Sequence, residues 1–237
     1  MSAFIYGIAL QWKLDIRSRT LLITCYVVPL LFFAVMGGIF TSINPEAKYT
    51  LIQSMTVLGV STGALIGLPP SLVEIYGSDI KKVYKANGVP LYLGLASMFL
   101  SAFIHLSVMC LIIYATAPIA FGAAVPASPP SYFASLAIFI AVSLAIGSIL
   151  GLAMKNQAKL TMFSQLVYLP SIMLSGIMFP VDLLPRFFQI VGYLFPATWG
   201  YKLMTDGFSL KNLWPLAAIL AAAAVLCGFL LKRLKSE

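Results

Sequence analysis

Charge is scarce in this sequence: Asp, Glu, Lys and Arg together make up 9% of 237 residues. Ordinary soluble domains carry about a quarter, so this chain has no polar shell with which to face water. Acids are scarcer still. The seven, Asp15, Glu46, Glu74, Asp79, Asp182, Asp206 and Glu237, are scattered at loop and helix ends, and no pair is placed for general acid–base work. A single histidine, His105, leaves no cluster for zinc, and neither HExxH nor CxxC occurs. No GxxxxGK[ST] phosphate loop is present, so the chain does not hydrolyse ATP by that route. Cys25, Cys110 and Cys227 fall within apolar runs and read as small buried hydrophobes, with no disulfide framework expected. No cleavable signal sequence is expected either, because polar residues interrupt the first apolar ones. No catalytic residue and no metal ligand is assigned.

What the sequence has is apolar length. Apolar residues make up 61% of it, the mean hydropathy is +0.98, and a helix needs about 20 such residues to cross a bilayer. Six runs qualify, at about Thr20–Thr41, Leu51–Val73, Leu91–Thr116, Tyr132–Met154, Leu160–Met178 and Leu213–Leu231. They exceed strand length and lack period-two alternation, so the expectation is an all-α membrane protein, one transmembrane domain over residues 1–237. Eleven of the fifteen Lys and Arg fall in segments on one side of the six crossings. The positive-inside rule then puts both termini in the cytoplasm of a multi-pass plasma-membrane protein. The net charge of +8 reflects that bias and attraction to anionic lipid; split among separate loops, it is no nucleic-acid patch.

Four segments are not spans. In residues 3–19, Phe4, Ile5, Ile8, Ala9, Trp12 and Ile16 share one helical stripe, away from Gln11, Lys13, Asp15 and Arg17. That pattern suits a helix lying in the cytoplasmic interface. After the second run, Ser78 or Asp79 can cap a short helix and Asn87-Gly88 can end it. Ile80, Val83 and Tyr84 form its apolar face among Lys81, Lys82 and Lys85. Two turns are unstable alone, so this helix rests on the membrane or on a partner. Residues 179–211, bracketed by Pro180, Pro185 and Pro196, read as a broken, re-entrant or interfacial hairpin outside the cell. Residues 118–131 read as an external loop.

Within the spans, Gly59, Gly63 and Gly67, and Ser143, Gly147 and Gly151, recur at intervals of four. Such stripes permit close helix approach, inside one subunit or between two. Ser97, Ser101 and His105 form a polar stripe expected to face the bundle interior or a wet cavity rather than lipid, with no carboxylate expected at that depth. The second run carries Gln53, Ser54, Thr56, Ser61 and Thr62, and the fifth Ser164, Gln165, Tyr168, Ser171 and Ser175. A pathway lined in this way suits an amphipathic or lipid-like cargo.

The run Leu174-Ser-Gly-Ile-Met-Phe-Pro-Val-Asp-Leu-Leu-Pro185, followed by Phe188–Trp199 with Phe195-Pro196, resembles the membrane subunits of type-2 ABC exporters. The loop with Glu74, Gly77 and Val89-Pro90 is loosely similar, with Asp79 and lysines where that family has an arginine-rich run. The resemblance implies an ATPase-coupling helix over Ser78–Ala86, with Glu74, Gly77, Ser78, Asp79, Ile80, Lys81, Val83, Tyr84 and Lys85 as its contact residues. It implies an elbow helix at the N-terminus, a path bordered by Gln53, Thr56, Ser164, Gln165 and Tyr168, and a gate at Phe179, Pro180, Pro185 and Pro196. It implies a second permease subunit, identical or sibling, and two copies of an ABC ATPase that binds ATP and Mg, with no cofactor in this chain. The expected activity is export of a hydrophobic or amphipathic drug, antibiotic or lipid-like molecule. The alternatives are export of a polysaccharide or teichoic-acid precursor and, from another class, a six-helix secondary carrier.

Overall fold

The computed structural model describes residues 3–78 and 80–236, and helices make up nearly all of them, with no strand among the described residues. Helix α1 covers Ala3–Arg17 and α2 covers Arg19–Leu22. A π-helical segment, Ile23–Val27, then leads into α3, Val28–Ile43. A 3-10 turn at Pro45–Tyr49 precedes α4, Leu51–Thr62, which passes through a second π segment, Gly63–Gly67, into α5, Leu68–Tyr76. The short α6 is Ile80–Ala86; α7 is Leu91–Phe121, α8 is Pro129–Ala153 and α9 is Gln157–Leu174. Two short helices, α10 at Arg186–Gly192 and α11 at Pro196–Thr205, precede α12, Leu210–Ser236.

Both π segments lie just ahead of prolines, and the reason is steric. A proline ring collides with the carbonyl four residues before it, which for Pro29 is that of Cys25 and for Pro69 that of Leu65. Widening the turn to a π segment accommodates the ring without ending the helix. The two wide turns face each other: a Cβ on Gly67 would meet Cys25 Sγ at 3.2 Å and Thr24 Cβ at 3.6 Å.

Among the described residues, five helices are long and apolar enough to cross a membrane: Ile23–Ile43, Leu51–Tyr76, Leu91–Phe121, Pro129–Ala153 and Leu210–Lys235. They match five of the six expected runs. The remaining run forms α9, whose 18 residues reach about 27 Å. Its outer face is apolar (Met162, Leu166, Leu169 and Met173 are exposed) while Ser164, Ser171 and Ser175 are buried. Gln157 and Lys159 at its exposed start and half-buried Gln165 lower its hydropathy.

The second of these spans is the hub. Every residue of α4 is buried, because small residues let neighbours close in from both sides. A Cβ on Gly59 would meet Met109 Sδ at 2.9 Å, and one on Gly63 would strike Leu106. From the other side, Gly147 of α8 lies against the backbone carbonyl of Ala64, and a Cβ on Gly151 would meet Leu72 Cβ at 2.6 Å. Both glycine stripes are therefore used for packing within one subunit. The outer faces of α3 (Leu31, Phe32, Val35, Ile39) and α12 (Val225, Leu226, Phe229) are broadly apolar and exposed, as a hydrocarbon solvent requires.

Two expectations change. Residues 118–131 are not all loop: α7 continues through Pro118 to Phe121 and ends at Gly122, whose φ of 61° is left-handed. Pro118 forfeits the bond to the Tyr114 carbonyl, and the helix runs only one turn beyond it. Asp15 does not fall away from the packed face of α1; it is 6% exposed, turned onto α7.

Candidate coupling surface and pathway

The loop between α5 and α7 is closed at its base. Tyr76 Oη donates to the carbonyl of Leu91 at 2.6 Å, joining the end of α5 to the start of α7. The Ser78 hydroxyl donates to the Glu74 carbonyl at 2.5 Å and accepts from Ile80 N–H at 3.3 Å, which starts α6. At the other end Asn87 N–H and Nδ2 both donate to the Val83 carbonyl, Val89 N–H donates to that of Tyr84, and Gly88 takes φ 66°. The stop signal read from Asn87-Gly88 is thus realised. Gly77 is fixed by close approach, since a Cβ there would lie 2.6 Å from the Val73 carbonyl.

Within α6 the expected apolar face divides in two. Tyr84 turns inward: a Cβ on Gly94 of α7 would lie 3.0 Å from its ring, and it packs on the core. Ile80 is 39% exposed and Val83 56% exposed. One aromatic anchors the helix while two aliphatics are presented outward, and Glu74 at the foot of the loop is exposed as well. Asp79 lies outside the described residues, as do the side chains of Lys81, Lys82 and Lys85. So do those of Phe4, Ile5 and Ala9 from the N-terminal stripe.

A model of the ABC-2 type transporter family matches residues 3–208. The chain belongs to that family. No curated relative matches it. An ABC-2 permease is a component of membrane transport and not itself a catalytic domain, and members work with an ABC ATPase partner and dimerise. The match and the five apolar helices make this permease a multi-pass membrane protein.

The expected pathway residues of the permease are drawn into packing. Thr56 is fully buried, its hydroxyl 2.7 Å from that of Tyr132 on α8. Tyr168 of α9 is bonded to Thr62 at 2.9 Å, and Thr62 also donates to the Leu58 carbonyl. Gln53 and Ser164 are buried with Gln53 Oε1 and Ser164 Oγ lacking a hydrogen-bond partner among the described residues, while Gln165 is half-buried. Unpaired polar atoms of this kind are costly in a dry interior. The structure therefore places Gln53, Thr56, Ser164 and Tyr168 inside the subunit, between the second span, α8 and α9.

The expected gate residues lie between the end of α9 and the start of α11. Phe179, Pro180 and Pro185 are exposed and Pro196 is buried. Gly176, with φ 87°, makes the turn out of α9, and Val181–Leu183 forms a 3-10 turn. The turn between α10 and α11 is closed by side chains: Thr198 Oγ1 donates to the Gly192 carbonyl at 2.6 Å and Trp199 Nε1 to that of Tyr193 at 2.8 Å. Lys202 closes it from above, with Nζ 3.0 Å from Tyr193 Oη and 4.4 Å from the ring centre. Buried Gly200 lies against Phe139 of α8 and Gly192 against the Leu174 carbonyl of α9.

Sequence reasoning missed Tyr76, Tyr132 and the partner of His105. Each acts through a contact distant in sequence, for which no local pattern exists. The Ser97–Ser101–His105 stripe faces α1 instead of a cavity. Trp12 stacks on His105 with ring centres 4.0 Å apart, and Tyr26 Oη lies 2.8 Å from His105 Nδ1.

Proposed function

We propose that this permease forms the translocation pathway of an ATP-driven exporter for a hydrophobic or amphipathic drug, antibiotic or lipid-like molecule. A separate ABC ATPase, in two copies, binds ATP and Mg and supplies the energy, and a second permease subunit completes the pathway. The observation that carries this reading is the outward pair Ile80 and Val83 on α6, held rigidly by Tyr84 and by the Tyr76–Leu91 bond. A short helix with exposed aliphatics and a fixed base is a lever: it offers a partner something to bury and transmits displacement into α5 and α7. ATP shifts the complex between inward and outward states only by binding one of them more tightly.

The test is purification with the ATPase encoded beside the gene, followed by transport in sealed vesicles. Uphill accumulation should require ATP and the ATPase, and should survive collapse of ion gradients. Accumulation by the permease alone, or dependence on an ion gradient, would favour the secondary carrier and end this reading. Within the exporter reading, the short connections between helices favour a lipid-like cargo. Activity only on a lipid-linked sugar polymer would move the assignment to glycan export.

The orientation belongs to this proposal, because it depends on α9. With α9 crossing, six spans bring both termini to the cytoplasm; with five, the ends face opposite sides. Epitope tags at the two ends should be protected together in right-side-out vesicles and accessible together in inverted ones. Tags that become accessible in opposite preparations would show that α9 does not cross.

A further inference from the structure

We infer that Asp15, Ser101 and His105 form a proton-binding site that fastens the N-terminal helix to α7, so that pH controls docking of that helix. Asp15 is 6% exposed, His105 1% and Ser101 fully buried. Ser101 Oγ lies 2.5 Å from Asp15 Oδ2, and Gln11 Nε2 donates to Asp15 Oδ1 at 2.8 Å. Trp12 covers the imidazole face to face, and Tyr26 bonds Nδ1. The imidazole lies near enough to act on the charge of Asp15. His105 Nε2 is buried with no hydrogen-bond partner among the described residues. Every element of the cluster spans the seam: Gln11, Trp12 and Asp15 come from α1, Ser101 and His105 from α7.

Among the described residues, the other groups around it carry no counter-charge. From α7, Ser97 approaches α1 at Gly7. From the first span, Cys25 and Tyr26 face the cluster. Tyr76 and Tyr84 reach α7 at Gly94, about two turns below Ser101. Lys13, Arg17 and Arg19 are exposed, and none of them acts on Asp15. A buried carboxylate without a cation is costly.

Burial accordingly holds the Asp15 carboxyl above the usual carboxylate range, with the bonds from Ser101 and Gln11 and the imidazole opposing it. The sign follows from linkage. A carboxyl whose docked value is raised favours docking while it carries its proton. That contribution fades as pH rises through the docked value and the helix binds a charged group less well. Neither the cargo nor the ATPase enters this argument, so it stands or falls apart from the transport reading.

The readout is Trp12 emission in the full-length permease with Trp199 and Trp214 replaced by Phe, in lipid nanodiscs. The stacked imidazole quenches Trp12 while the helix is docked, so raising the pH through the Asp15 transition should brighten and red-shift it. Asp15→Asn, neutral at every pH, should lose the transition and stay at the quenched level. Ser101→Ala keeps the acid but removes a bond to its ionised form, so the midpoint should move up by about one pH unit. Circular dichroism confirms that each chain is folded. A flat wild-type profile, an unchanged midpoint in Asp15→Asn, or an unmoved midpoint in Ser101→Ala would each overturn the proposal.

Discussion

Val83→Asp leaves the permease folded and uncouples it from the ATPase. Val83 is the more exposed of the two aliphatics on α6, so a carboxylate there is fully hydrated in the free subunit and costs the fold little. In the proposed complex the same side chain would be buried against the ATPase, where an unpaired charge is expensive. Truncating or charging a central apolar contact costs about 2 kcal/mol or more, or about 30-fold in Kd. The ATPase should fail to co-purify, and ATP-dependent transport should vanish while the permease keeps its elution profile. Ile80→Asp should act in the same direction and more weakly, its side chain being partly covered already. Tyr84→Asp is the contrasting case. That ring packs on α7 beside Gly94 and on the core, so the charge is buried in the subunit itself and yield should fall. Val83→Asp retaining full ATPase binding would remove α6 from the coupling interface.

Gly147→Leu should prevent assembly of the helix bundle. Gly147 lies against the Ala64 backbone carbonyl in the second π segment, and a carbonyl inside a hydrogen-bonded helix cannot rotate away as a side chain can. The substitution forces α8 off the hub of the fold and breaks the contacts of Gly151 with Leu72 and Pro69 one turn on. An effect of about 3 kcal/mol or more is expected, at or beyond the upper end of the usual cost of overpacking, because the obstacle is backbone. Gly228→Leu on α12 is the control: nothing lies within 4 Å of a Cβ there, and stability should change by about 0.5 kcal/mol or less. Thermal unfolding in detergent, followed by loss of the monodisperse peak, separates the two. Equal stability of both variants would mean that α8 does not pack on the second span in this register.

Both predictions use residues visible in the sequence in roles that it did not reveal. The interval of four between the small residues Ser143, Gly147 and Gly151 marks close packing in any membrane helix. It does not say against which helix, and the facing residues Ala64, Pro69 and Leu72 lie about eighty positions away along the chain. The short helix after the second span was legible from its caps and stop signal, because those are local backbone chemistry. Its division into an anchoring Tyr84 and an outward Ile80 and Val83 was not, since that depends on where α7 passes. The polar stripe Ser97–Ser101–His105 was correctly turned away from lipid. Its companion Asp15 was misread because helical periodicity in α1 reports amphipathicity, and a single acid paired across a seam looks like one more polar residue on the solvated side.

Composition alone determined the solvent. With 9% charged residues and 61% apolar, the backbone must satisfy its own hydrogen bonds within helices, and run length then sets how many can cross. Local chemistry further fixed the caps, the proline-driven breaks and the family resemblance, since these depend on neighbours along the chain. Only the tertiary structure decided that the second span is the hub, that both glycine stripes are spent inside one subunit, and that Asp15 meets Ser101 beneath α1. Such pairings are chosen by the shape and polarity of surfaces far apart in sequence, and lipid, being as apolar as most of those surfaces, gives no bulk preference that would reveal them in advance.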